Sequence, residues 1–291
     1  MDLSSPPRDS PPLDSPQKWQ AYGVSLESEL RFRADFALRP SEGGVALSVF
    51  AGDVPHGGDE IWRSTAPPEV NCSRAADGLV LRWPDAAFGV ADDGVTVDAD
   101  DPARAFERYF NPVMSLVLGT RGWTSFHAFV VQIDGLGIAV MGGSGYGKSS
   151  LGLALLDQGG LLVSDDLLAL DADGIVQPGP LFVRTNTDNR SDRDPGGKAR
   201  QLREAVHGPI SLDLAIVISR DAEGFAPVVG SAQAAGQVVK QAYSPFAASR
   251  EAQRNTLHAA TRIASTAPVI ACERHFESPE DLAQRVLAFL R

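Results

Sequence analysis

The sequence predicts an α/β core preceded by a smaller β-rich unit, on three observations. Between Tyr22 and Asp98, short alternating apolar segments are separated by turn residues; beyond residue 113, strand-like and helical runs intermix. At 135–156 an apolar strand runs through a glycine-rich loop into a helical pattern. A length of 291 residues leaves room for both units. Apolar residues make up 43% and charged residues 22%, which excludes a wholly disordered or fibrous chain.

Residues 1–17 are crowded with Pro, Ser and Asp and hold too few apolar groups to offset the entropy of ordering, so a disordered tail is expected there. The β-rich unit with its linking helix is expected at 18–112. Its strands are read at 45–51, 79–83, 88–90 and 95–99, with Asp-Gly turns at 77–78 and 93–94. Asp101-Pro102 reads as an N-cap followed by Pro at the first helical position, and the run ARAFERYF has helical spacing until Pro112 interrupts it. The second unit, 113–291, shows strand-like runs at 126–133, 137–141, 161–164 and 212–218. Helical runs lie at about 149–158, 231–241, 249–265 and 280–290, the last opened by Ser278-Pro279-Glu280-Asp281, a hydroxyl cap with acids in the first turn.

Lys and Arg number 26 against 37 Asp and Glu, a formal charge of −11, which argues against broad capture of nucleic acid or an anionic membrane surface. No apolar run approaches the ~20 residues needed to cross a bilayer, and the amino end lacks a secretory pattern. A cytoplasmic location is therefore expected, with neither nucleic acid nor membrane as partner. Cys72 and Cys272 are the only cysteines, too few for a disulfide framework or a four-ligand zinc site.

The segment GLGIAVMGGSGYGKSSLGLALL carries the chemistry. Ile138 to Met141 leads into Gly142-Gly143-Ser144-Gly145-Tyr146-Gly147-Lys148-Ser149, which fits G-x-x-x-x-G-K-[ST] at every fixed position, with Ser150 following. Glycines let the backbone curl around phosphate oxygens, so that consecutive N–H groups and the next helix's N-terminus face the anion. Lys148 is expected on the β- and γ-phosphates and Ser149 on Mg²⁺, which implies a bound nucleoside triphosphate, ATP with Mg²⁺.

After the loop helix, Leu161-Leu162-Val163 runs into Ser164-Asp165-Asp166. A helix of about ten residues travels ~15 Å away and a strand of four or five returns ~13–16 Å, so the two carboxylates are expected back beside the loop. One acid can hold Mg²⁺ while the other takes the proton of an attacking hydroxyl, which is kinase chemistry. The sequence leaves open which acid does which; the favoured division puts Asp165 as base and Asp166 on the metal.

Thr124-Ser125-Phe126-His127 on a strand, the loop Gly142 to Ser149, and Leu162-Val163-Ser164-Asp165-Asp166 together resemble the HPr kinase/phosphorylase family, over roughly residues 115–175. The resemblance implies a P-loop kinase core of the HPr kinase and phosphoenolpyruvate carboxykinase-like type behind a small β-rich domain. It also implies that His127 belongs to the active site with the acids, and that the chain forms a homo-oligomer. Two departures stand out: Ser150 replaces the acidic residue usual after the loop serine, and no Glu-Ile-Arg-Gly-Leu-Gly segment follows. The better resemblance is to shorter relatives found beside peptide-modification systems, including kinases of lasso-peptide precursors. A serine of a small protein or peptide is the acceptor this implies; a small-molecule hydroxyl kinase and a non-catalytic nucleotide-binding regulator are the alternatives.

The polar stretch Arg184 to Arg200 is long for a connection inside a compact domain and is expected to act as a lid or substrate loop, with Lys198 or Arg200 reaching a phosphate.

Overall fold

The computed structural model describes residues 17–33, 36–41, 46–64, 69–185, 199–243, 250–274 and 277–291. The expected tail lies outside these residues except for Gln17, and Lys198 lies outside them too.

Among the described residues, nine strands precede the first helix: β1 (Gln17–Ala21), β2 (Val24–Ser28), β3 (Arg39–Pro40), β4 (Ala46–Ala51), β5 (Asp59–Ser64), β6 (Val70–Ala75), β7 (Gly78–Arg82), β8 (Ala87–Val90) and β9 (Gly94–Asp98). They form one sheet in the order β3-β1-β2-β4-β9-β8-β7-β6-β5. The joins β2/β4 and β4/β9 are parallel, and the meander from β5 to β9 is antiparallel. Asp77-Gly78 and Asp93-Gly94 sit at the turns before β7 and β9, as their chemistry predicts.

Helix α1 (Pro102–Thr120) packs on this sheet. Asp101 caps it, its side chain accepting from the Arg104 amide at 3.1 Å. The helix does not stop at Pro112. Proline removes one helical hydrogen bond and crowds the preceding turn, and the strain is taken up as a kink at Tyr109 (φ −101°, ψ 16°). Burial on both sides of the kink keeps the helix going: Phe106, Phe110, Val113, Met114 and Val117 all enter one core with Leu26, Leu47, Leu81 and Phe88 of the sheet. The expected junction at 112/113 therefore falls inside α1.

The second half contains β10 (Thr124–Phe126), β11 (Ala128–Ile133), β12 (Leu136–Gly142), α2 (Lys148–Asp157), β13 (Leu161–Ser164), β14 (Leu168–Leu170), β15 (Val176–Gln177), β16 (Phe182–Thr185) and β17 (Ala199–Leu202). It continues with β18 (Leu214–Ser219), β19 (Phe225–Pro227), α3 (Ser231–Val239), α4 (Arg250–Thr266), β20 (Val269–Glu273) and α5 (Pro279–Leu290). Six strands form a mixed sheet, β13-β11-β12-β18-β20-β19, in which β12, β18 and β20 are parallel neighbours. Residues 138–141 and 214–218 are buried without a break, as strands covered on both faces must be. Leu151 and Leu155 of α2 with Leu282 and Val286 of α5 cover one face; Ala234 and Val238 of α3 with Ala260 and Ile263 of α4 cover the other. Ser278 caps α5 by accepting from the Asp281 amide at 3.1 Å. Among the described residues, no helix is long and apolar enough to cross a membrane.

Candidate active site

The glycine-rich loop leaves the carboxyl end of β12, the middle of the six-stranded sheet, where open α/β sheets bind ligands. Gly142 is required by contact: a Cβ there would stand 2.8 Å from the Ile218 carbonyl oxygen of the neighbouring strand. Gly147 is required by conformation. It caps α2 at φ 100° with no side-chain hydrogen bond, so the first amides of α2 are left to an outside acceptor. An uncapped helix start with its positive dipole end suits a phosphate.

Lys148 is 7% exposed, and its Nζ donates to the Gly143 carbonyl at 3.1 Å, so the ammonium is held within the loop. Gly145, Tyr146, Gly147, Lys148, Ser149 and Ser150 wall a cavity of about 540 Å³. Ile218, Pro279 and Leu282, with the carboxylates Glu273 and Glu277, line another part of that cavity. Gly142 and Gly143, at the start of the loop, wall a second cavity of about 400 Å³ together with His127; Ser144 lies between the two sets. The loop is thus shared by two cavities.

The acids come out on the loop's side of the sheet. Strand β13 is antiparallel to β11, and β11 to β12, so β13 runs parallel to β12. Ser164 and Ala139 both pair with Val130, which sets the end of β13 level with the middle of β12, one strand away and three residues, ~10 Å, short of Gly142. Neighbouring strands are ~4.8 Å apart, so the acids start about 10 Å to the side of β12.

Asp165 and Asp166 then part. Asp165 is 8% exposed, and its Oδ2 accepts from the Arg184 amide at 2.7 Å. Asp166 takes a positive φ of 72°, which turns its side chain out of the strand line; its Oδ1 lies 3.1 Å from His127 Nδ1. The same nitrogen is 3.0 Å from the Asp166 carbonyl oxygen. A carbonyl only accepts, so in the neutral ring Nδ1 carries the proton and Nε2 is the acceptor. His127 interrupts the expected strand 126–133 between β10 and β11, with its own amide donating to Gln241 at 2.7 Å.

Two tyrosines, Tyr22 fully buried and Tyr243 partly buried, feel these charges. Burial raises the phenol of Tyr22 well above its ordinary range, and the Asp166 and Asp165 charges add to it. Burial followed by Asp166 does the same to Tyr243, whose ring meets that of His127 edge-on at 5.7 Å. Tyr22 donates to Asn111 Oδ1 of α1 at 2.9 Å, and Asn111 Nδ2 donates to the Asp165 carbonyl at 3.5 Å, tying the helix to the acidic turn.

The structure does not bring Arg200 to the loop. It is buried in an ion pair with Glu107 of α1 at 2.9 Å, and its guanidinium lies over the rings of Phe36 and Phe182 at 4.9 and 5.3 Å. Burial of both partners explains the position: a carboxylate at 0% exposure must keep its counter-ion. Arg184, paired opposite Arg200 in the β16–β17 ladder, is the cation that walls the larger cavity beside Lys148. Sequence reasoning missed it; the signal available was its place at the edge of the polar stretch. Arg220 and Arg274 were missed as well. They directly follow β18 and β20 and set their guanidiniums 5.4 and 5.2 Å from the Tyr146 ring centre.

Among the described residues, no group of three or more His, Cys, Asp or Glu is placed to hold a metal. Mg²⁺ that arrives with nucleotide phosphates needs only one or two protein oxygens, and the Ser149 hydroxyl and Asp166 carboxylate are donors of that hard type.

No protein-family model matches the chain. It is similar to the HPr kinase/phosphorylase of Burkholderia lata, 43% identical over 70 residues, which is 24% of this chain and 20% of that protein. It is likewise similar to the HPr kinase/phosphorylases of Ralstonia pickettii and Ralstonia nicotianae, 44% identical over 59 residues, 20% of this chain and 17% of each relative. The chain thus matches a fifth or less of the length of these curated relatives. Among solved structures, the Hpr(Ser) kinase/phosphatase from Coxiella burnetii aligns at 16% identity and a TM-score of 0.28, over 57% of this chain and 95% of that one.

Proposed function

We propose that the chain is an ATP- and Mg²⁺-dependent kinase that transfers the γ-phosphoryl group to a hydroxyl, a serine of a small protein or peptide. This follows the line of the shorter HPr kinase relatives associated with peptide modification. The observation that carries the reading is the uncapped, glycine-rich entry to α2 with two acids at the same edge of the sheet. The local likeness to HPr kinase/phosphorylases agrees with it.

Phosphoryl transfer needs positioning and charge neutralisation more than covalent chemistry. In this reading the loop amides and Lys148 hold the phosphate tail, and Arg184 adds a second cation on the wall of the same cavity. Ser149 and Asp166 would hold Mg²⁺, which supplies neutralisation of the β- and γ-oxygens. The acceptor oxygen bonds to the γ-phosphorus as the bond to the β–γ bridging oxygen breaks; ADP leaves, and Asp165 takes the hydroxyl proton. The Arg184 amide fixes one oxygen of Asp165 for that task.

A second division of labour has its own observation. His127 and Asp166 form a dyad in which Nε2 is the accepting nitrogen, and the His127 ring walls the smaller cavity. Here His127 takes the proton and Asp166 orients it.

Radiolabelled transfer from [γ-³²P]ATP to serine peptides tests both. Asp165→Asn is expected to lower kcat by about 10²-fold or more while leaving the KM for ATP within a few-fold. An Asp165→Asn enzyme of full activity combined with an inactive His127→Gln enzyme selects the dyad. ATP binding without transfer to any peptide or free hydroxyl compound, unchanged in both variants, overturns the kinase reading.

A further inference from the structure

The phosphate loop is shared by two cavities that differ in wall chemistry. The larger takes in most of the loop, Lys148 and Arg184. The smaller is bounded by Val70 of β6, Trp83 directly after β7, Pro112 of α1, and Tyr243 and Lys240 beyond α3. We propose that the smaller cavity seats the acceptor, and that the acceptor is an extended peptide segment. Its serine has a bulky apolar neighbour and, nearby, a carboxylate that meets Lys240. This rests on the kinase reading given above.

Four observations lead there. Gly142 and Gly143 belong to both the loop and this cavity, so a phosphoryl group held at the loop is open to attack from this side. His127, bonded to Asp166, stands on the same wall. About 400 Å³ lies within the ~300–1,000 Å³ range of ligand-sized sites, enough for a few side chains and far too small for a folded domain. The cavity is also more open to solvent than its neighbour. A free small molecule is held by near-complete enclosure, whereas a chain continuing past the reacting serine suits an open cleft.

Wall chemistry sets the flanks. Trp83 is held rigid, its ring stacked on Tyr109 at a centroid distance of 4.2 Å and edge-on to Phe88 at 5.7 Å. A fixed aromatic wall beside Val70, Pro112 and Tyr243 selects a large apolar side chain. Among the described residues, Lys240 is the single Lys or Arg on these walls and has no ion pair. In a chain of net charge −11, an isolated ammonium at the rim of an apolar cleft picks out a carboxylate.

The test is phosphorylation of a positional-scanning library of serine-centred peptides by the full chain with [γ-³²P]ATP and Mg²⁺. Free L-serine serves as a separate arm, and the Kd for ATP is measured alongside. The expected profile favours aromatic or large aliphatic residues beside the serine by roughly tenfold, with Asp or Glu favoured at a further position. Lys240→Glu is expected to switch that position to Lys or Arg, and Val70→Ser to flatten the apolar preference; Trp83→Ala serves as well where it folds. A profile without flanking preference overturns the inference. So does a Lys240→Glu profile identical to wild type, or labelling of free serine alone. Wild-type ATP binding with no labelled peptide also overturns it and leaves nucleotide binding standing. A wild-type chain that binds no ATP overturns the kinase reading itself and this inference with it.

Discussion

The two large sheets are covered differently. The six-stranded sheet has helices on both faces and two extensive cores, one on either side. Among the described residues, the nine-stranded sheet has one extensive core, under α1, and a small cluster of Val54, Val80 and Ala87 with Ala75 packed against it on the other face. A sheet buried on both faces cannot shift one strand without disturbing two cores, so it is the stiffer platform, and the phosphate loop leaves from it. The one-sided sheet contributes Val70 and Trp83 to the smaller cavity. In the proposed kinase, placement of the triphosphate would fall to the sheet with two cores, and part of the choice of acceptor to the sheet with one.

The largest effect is expected where the two halves are riveted together. Glu107 and Arg200 are 0% and 1% exposed in their side chains, so Glu107→Ala strands a buried guanidinium and should cost about 3–5 kcal/mol in denaturant unfolding. Glu107→Leu combined with Arg200→Met should recover most of that loss. Next comes Ile216→Ala at the centre of the six-stranded sheet, with about 2–5 kcal/mol expected by the same measurement and weaker ATP binding in step. Val80→Ala on the sparsely covered face should cost only about 1–2 kcal/mol and leave ATP binding unchanged. Equal costs at Ile216 and Val80 would break the contrast.

The smallest effect tests both sheets at once, because each holds one thiol. Burial pushes Cys72 of β6 and Cys272 of β20 up to about 11. The native state therefore keeps these protons to a higher pH than the unfolded chain, whose thiols titrate near ~8.5. Their contribution to stability is complete below that value and is lost as pH rises through 11. Iodoacetamide at pH 8.5 should label both slowly in the native protein and quickly in denaturant; fast native labelling of either would contradict its burial.

Legibility followed sequence distance. The strand, loop and helix around Lys148 are contiguous, and the caps Asp101 and Ser278 act within three residues of themselves, so local chemistry announces them. The strand that leads into the acids was legible because one helix and one strand have calculable lengths. Arg200 could not be placed: its partner Glu107 is 93 residues away, and a cation in a polar stretch looks the same whether it faces phosphate or a buried carboxylate. The end of α1 was misplaced at Pro112 because tertiary burial on both sides of the kink outweighs the proline. Strands β14 to β17 hold two to four residues each, too short for an alternating pattern to show.

The central claim is that the loop after β12 grips a triphosphate through Lys148 and the amides opening α2. Calorimetric titration of ATP–Mg²⁺ into the full chain and into Lys148→Ala tests it most directly. One saturable site is expected in the wild type, weakened roughly a hundredfold, about 2.7 kcal/mol, in the variant. A wild type that takes up no ATP at millimolar concentration, or a Lys148→Ala protein that binds it equally well, would contradict the account.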